Sequence, residues 1–100
     1  MRRIIFARQA RNDFVDIWKY LHPNSSQAAV RVMDEIEEAI RTLAVMPGRG
    51  HRHADIPDPR YRVWRVYSYL IAYRFTPKSI SIARIVQGAR NLGPLFRKRR

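Results

Sequence analysis

Apolar positions change their spacing twice along the chain. Arg3-Ile4-Ile5-Phe6 is a run of strand length, after which Ala10, Phe14, Ile17, Trp18 and Leu21 recur on one helical face. An amphipathic helix is predicted there. It should end by His22-Pro23, because proline disfavours helical geometry in the residue before it and cannot continue the hydrogen-bond ladder. Asn24-Ser25-Ser26-Gln27 then predicts an N-cap with a Gln three positions on, the capping-box arrangement, and a second helix. Ala29, Val32, Met33, Ile36, Ile40 and Leu43 form its stripe, opposed by Asp34, Glu35, Glu37 and Glu38, and Met46-Pro47-Gly48 should stop it. Glu37 and Arg41 stand in the favourable i,i+4 order, worth about 0.3 kcal/mol at an exposed site. The two helices are expected to pair as an antiparallel hairpin.

Residues 47 to 60 carry Gly48, Gly50, Pro57 and Pro59 with Arg49, His51, Arg52 and His53, a composition that predicts loop and turn. Beyond residue 60 the period shortens. Arg60 to Val66, Tyr69 to Phe75 and Ile80 to Val86 are rich in aromatic and β-branched residues, with Tyr67-Ser68 and Thr76-Pro77-Lys78-Ser79 as connecting turns. The fold class expected is α+β: an N-terminal strand and a helical hairpin packed on a mainly antiparallel sheet, completed by a C-terminal three-strand meander. Tyr69, Ile71, Tyr73 and Phe75 should face one way and Leu70 and Ala72 the other; in the last strand Ile80, Ile82 and Val86 should oppose Ala83 and Ile85. One hairpin covers only one face of a sheet, so the second face, or a groove at its edge, is expected to be completed by another chain.

Composition narrows the class. One hundred residues make a single domain, 1–100, of about 13 Å radius of gyration, which excludes a multidomain enzyme. Hydrophobic residues at 46% supply enough material for a core despite the charge. The chain has no cysteine, hence no disulfide and no thiolate chemistry, and a reducing compartment is the natural inference. With no signal-like or membrane-spanning apolar segment, a cytoplasmic protein without membrane contact is expected.

Charge is the first functional clue. Twenty Lys plus Arg oppose eight Asp plus Glu, a formal net charge of +12. Residues 1–50 hold eight basic and six acidic side chains, whereas residues 51–100 hold twelve and two. So basic a second half favours a polyanionic partner, whether nucleic acid, acidic protein segment or membrane surface. The closing Arg97-Lys98-Arg99-Arg100 is expected to be a flexible tail acting only electrostatically.

The order strand, helix, helix, meander, with Pro47-Gly48-x-Gly50 after the second helix, resembles the ParE branch of the RelE/ParE toxins. Arg62 near the start of the first meander strand, Tyr69-Leu70-Ile71-Ala72-Tyr73-Arg74 and Ile85-Val86-Gln87-Gly88-Ala89-Arg90 extend the resemblance over nearly the whole chain. It implies a small cytoplasmic toxin held in a hetero-oligomer by a cognate, ParD-like antitoxin. ParE-like members act on DNA gyrase, with any DNA contact indirect; RelE-like members cut messenger RNA in the ribosome.

Chemistry separates the branches. Metal-free RNA cleavage needs a group to take the 2′-OH proton, one to protonate the leaving oxygen, and cations for the phosphate. Arg62, Arg65, Arg84 and Arg90 supply cations on or beside the predicted strands, and Trp64 between two of them can stack on a base or a partner side chain, or pack on the sheet. Acid-base groups are scarce. The position before Gly88, often His in the family pattern, is Gln87, which transfers no proton near neutral pH. His51 and His53 with Asp55 offer a metal clip or a general base, but so short a pattern reads first as a loop with solvated imidazoles. His22 suits a helix C-terminus, and Asp13 and Asp16 read as solvated charge. Target- or antitoxin-binding residues are therefore expected at Arg62, Trp64, Arg65, Arg84 and Arg90, with no catalytic residue, metal or cofactor. The readings left are a non-enzymatic gyrase-binding toxin, a ribosome-dependent endoribonuclease, and a basic nucleic-acid-binding domain without toxicity.

Overall fold

A computed structural model describes residues 1–88, Leu92 and Phe96. Strand β1 (Arg3–Phe6) runs into helix α1 (Arg8–Leu21), which a short turn joins to α2 (Ser26–Val45); a 3-10 turn at Pro47–Arg49 and a loop lead to β2 (Arg62–Val66), β3 (Tyr69–Phe75) and β4 (Ser79–Gln87). The four strands form one sheet in the order β1-β4-β3-β2, with β1 parallel to β4 and the other pairs antiparallel. The expected α+β architecture is present, and the Cα radius of gyration is 13.3 Å. No helix among the described residues is long and apolar enough to cross a membrane.

The helical hairpin covers one sheet face. Ile17 of α1 and Met33, Ile36, Ile40 and Leu43 of α2 meet Val66, Tyr69, Ile71, Tyr73, Ile80, Ile82 and Ile85 in the main core. Fully burying an aliphatic side chain of this size contributes about 1.5–3 kcal/mol, so this layer holds the hairpin in place.

Three local expectations are corrected. The cap of α2 is Ser25, whose hydroxyl accepts from the Ala28 N–H at 3.1 Å, one position after the predicted Asn24. Gln27 thereby falls at the second helical position, where the reciprocal bond of a capping box is not made. In β4 the pairing slips between Ala72↔Arg84 and Tyr73↔Ile82, so Ala83 is an extra residue. That bulge changes the phase: Ile85 rejoins Ile80 and Ile82 on the helix side, and Val86 turns to the other face, the reverse of the even alternation expected. The second sheet face, expected to need another chain, carries a cover from this one. Ile56, Tyr61, Leu92 and Phe96 lie with Val63, Leu70, Ala72 and Val86 in a second cluster, in which Leu70 is 5% and Ala72 1% exposed.

Both meander turns have identifiable chemistry. Tyr67, in the two-residue turn between β2 and β3, has φ 54°, a left-handed conformation costing a non-glycine residue roughly 1–2 kcal/mol. The neighbouring Glu35 of α2, as a hydrogen-bonding acceptor for the phenol, is the main cause that raises the pKa of Tyr67. At the next turn the Thr76 hydroxyl accepts from the N–H groups of Lys78 and Ser79 at 3.2 and 3.1 Å.

Candidate functional site

Edge strand β2 sends Arg62 and Trp64 to the helix-covered side of the sheet, beyond the hairpin, and Arg65 to the opposite side, because successive side chains alternate. The loop after α2 returns along the free edge of β2. His51 N–H donates to Val63 O at 2.9 Å and Val63 N–H to His51 O at 2.7 Å. This bridge brings the His51 ring against Trp64, with centroids 6.2 Å apart and planes 18° from parallel, while the Arg49 guanidinium lies 5.3 Å from the Trp64 ring centroid.

A second ring extends the row. Phe75 at the end of β3 has the guanidiniums of Arg2 and Arg62 at 5.6 and 6.0 Å from its centroid. Arg62 Nη1 donates to Gly50 O at 3.2 Å; Arg2 Nε donates to Thr76 O at 2.7 Å, and its Nη1 to Ala44 O at 3.4 Å in the last turn of α2. A cation there is favoured by the helix dipole and by the carbonyls left without helical partners. Arg2, Arg49 and Arg62 are thus positioned by carbonyls and ring faces, and among the described residues none of the three meets a carboxylate.

The loop is fixed from beneath by Tyr73. Its buried hydroxyl donates to Pro47 O at 2.5 Å and accepts from Gly50 N–H at 3.0 Å. Burial, which disfavours the phenolate, raises the pKa of Tyr73 despite the opposing effects of the Gly50 N–H and of Arg62. A Cβ at residue 50 would stand 2.2 Å from that hydroxyl oxygen, so glycine is required by close approach. This accounts for the second glycine of Pro47-Gly48-x-Gly50; the intervening residue is Arg49, carried on the turn to Trp64.

Of the residues expected to act together, the structure brings Arg62 and Trp64 together and separates Arg65 and Arg84 from them. Arg65 lies on the other face, its guanidinium nitrogens 3.1 and 3.2 Å from where a Cβ at Gly88 would stand. Arg84 is committed internally: Nε and Nη2 donate to the two Asp13 carboxylate oxygens at 2.7 and 3.0 Å, and Nη1 donates to Gln9 at 3.0 Å. Asp13 Oδ2 also accepts from Ile85 N–H at 2.9 Å, so Asp13 closes the edge of β4 past the end of the short strand β1. Asp13 is therefore a joint between α1 and β4 rather than a solvated charge. Arg90 and the basic tail lie outside the described residues. Arg2, Arg49, His51 and Phe75 were not singled out from the sequence as members of one site; Arg49 inside the Pro-Gly-x-Gly turn was the available signal.

The histidines part company. His53 Nδ1 accepts from Asp55 N–H at 3.1 Å, and no cluster of three metal-ligating side chains occurs among the described residues. His22 caps α1 and packs its ring 4.8 Å from that of Trp18. Elsewhere, an apolar groove on the helical hairpin is lined by Phe14, Val15, Trp18, Val30 and Met33, with Asp34 and Glu37 beside it. Val15 and Val30 are 49% and 48% exposed there.

Known proteins share this architecture. A chain of the chromosomal ParDE toxin-antitoxin system of P. aeruginosa superposes with a TM-score of 0.70 at 21% identity, covering 87% of this chain and 96% of that one. Two structures of the E. coli DinJ-YafQ complex match with TM-scores of 0.63, at 16% and 17% identity, over 89% and 88% of this chain and 96% and 93% of theirs. At such identities the likeness establishes the fold. No curated protein sequence matches the chain significantly. Residues 4–92 match the family described as the ParE toxin of the type II toxin-antitoxin system parDE, and the chain belongs to that family.

Proposed function

We propose that this protein is a cytoplasmic toxin, neutralised by a ParD-like antitoxin in a hetero-oligomer, which acts by binding DNA gyrase rather than by cutting RNA. The observation that carries the reading is a row of guanidiniums with, among the described residues, no pair of general acid and base beside them. His51 is the imidazole within the row, the Tyr73 hydroxyl is buried between Pro47 and Gly50, and Gln87, which pairs with Tyr69 at the end of β3 away from Phe75, cannot transfer a proton. Cations positioned in this way grip an anionic surface. The half-exposed valines of the hairpin groove supply an apolar seat for an amphipathic antitoxin segment, and the carboxylates of Asp34 and Glu37 favour a segment with a basic flank. Solved relatives that are themselves toxin-antitoxin assemblies support a protein partner of this kind.

Purified protein added to a gyrase supercoiling reaction should inhibit it, and co-expression with the adjacent gene should restore growth. Undiminished supercoiling at excess toxin refutes the gyrase assignment. A second reading, a ribosome-dependent endoribonuclease, is favoured by the stacking of His51 on Trp64 beside Arg49. It requires messenger cleavage in a translating extract that His51→Gln abolishes.

A further inference from the structure

We infer that the row formed by Arg49, His51, Arg62, Trp64 and Phe75 binds a single strand of nucleic acid, with phosphates on the two guanidiniums and a base on the exposed face of the Trp64–His51 stack. The first argument is charge. Six of the eight carboxylates of the chain sit on α1 and α2, Asp58 pairs with Arg60, and among the described residues no carboxylate, that of Asp55 in the loop included, forms an ion pair with Arg49 or Arg62, so this rim keeps its positive charge. The second is preorganisation. Among the described residues the Arg62 guanidinium spends a single hydrogen bond, on Gly50 O, and that of Arg49 is held by the Trp64 ring. Most of their N–H groups stay available in a fixed orientation for phosphate oxygens, which guanidinium forks match in pairs.

Flat rings decide between polyanions. An acidic peptide or an anionic lipid surface uses the cations and has no use for near-parallel aromatic planes. A nucleobase uses both, since every base has a face to stack on an aromatic or a guanidinium. A base already stacked within a duplex cannot occupy the outer face of His51, which restricts the ligand to an unpaired strand. The inference does not depend on the identity of the target, and its test contains no gyrase.

Trp18→Phe leaves Trp64 as the one tryptophan of the chain. With a fluorescein-labelled twelve-residue oligothymidylate at 0.1 M salt, binding should quench Trp64 emission. Arg49→Ala and Arg62→Ala should each weaken affinity about fivefold and lower the slope of log K against log salt by about 0.7. Arg11→Ala and Arg31→Ala remove the same charge from the hairpin and should change affinity less than about twofold. Arg49 is exposed and among the described residues its side chain makes no hydrogen bond, so its variant keeps the fold; Arg62→Lys, checked by thermal melting, covers the case in which Arg62→Ala does not. Equal losses from hairpin and rim variants overturn the inference, as do tighter binding of a duplex of the same length and equal quenching by polyglutamate, which would make the rim an acidic-peptide site.

Discussion

A single phenolic oxygen ties the central strand to the turn that carries the site. Tyr73→Phe leaves Pro47 O and Gly50 N–H buried without their partner, a loss of about 1–3 kcal/mol. In a domain of this size each kcal/mol lowers Tm by about 4–8 °C, so thermal denaturation reads the effect directly. Gly50→Ala should also destabilise, because the new methyl strikes the same oxygen. The double variant should cost less than the sum of the two, since removing the oxygen removes much of the clash. Arg84 and Arg49 show the converse, that similar arginines have different duties. With side chains only 15% and 12% exposed, the Arg84–Asp13 pair is largely shielded from solvent, and Asp13→Ala leaves a part-buried guanidinium without its carboxylate at a cost of about 1–3 kcal/mol. Arg84→Ala should accordingly lower Tm, and activity with it, whereas Arg49→Ala should leave stability within about 0.5 kcal/mol and alter binding alone. Guanidine titrations run beside binding assays on both variants separate the two roles.

Elements follow from periodicity wherever one residue's neighbours in sequence are also its neighbours in space. The α1 stripe from Ala10 to Leu21, the stop at Pro47 and the limits of β3 are local in this sense, and they are legible in the sequence. What escapes is set across the sheet. The phase of β4 depends on a slip against β3 at Ala83, and alternation counted along one strand contains no sign of it. The α2 cap escaped for a different reason: Asn24, Ser25 and Ser26 are all good capping residues, and the N–H groups of Asn24 and Ser25 both bond back to Leu21 O, extending the exit from α1 into the turn. Helix start is thus decided by how the preceding helix ends. Ser25→Ala should cost about 1 kcal/mol, and Asn24→Ala much less. Reversal of that order in thermal melts would return the cap to Asn24.

At the scale of the whole molecule, charge and burial are sorted by layer. Carboxylates gather on the helical hairpin and unneutralised cations at the β2 edge, and the basic second half of the sequence contributes only Arg62 of that row, Arg2 and Arg49 coming from the first half. Arg62 and Trp64 were legible because alternation puts them on one face. Arg2, Arg49, His51 and Phe75 reach the same rim from the N-terminus, a turn, a loop and a strand end, through the His51–Val63 bridge and the Tyr73 clamp, contacts that no spacing encodes. The same layering controls behaviour in alkali. Tyr69 and Tyr73 are 6% and 0% exposed, and burial is the first cause of the raised pKa of each above the ordinary value of 10.0. An acid whose pKa is raised on folding contributes its full stability below the unfolded value and loses it as pH rises toward the folded one, because the unfolded chain releases its proton first. Between those values each tyrosine should lower the unfolding free energy by about 1.4 kcal/mol per pH unit. Stability measured by denaturant titration should therefore fall above pH 10, with native circular dichroism lost as absorbance at 295 nm rises. Tyr73→Phe, less stable at neutral pH, should show a shallower alkaline slope; an unchanged slope in that variant would mean that the buried hydroxyl is not the group being titrated.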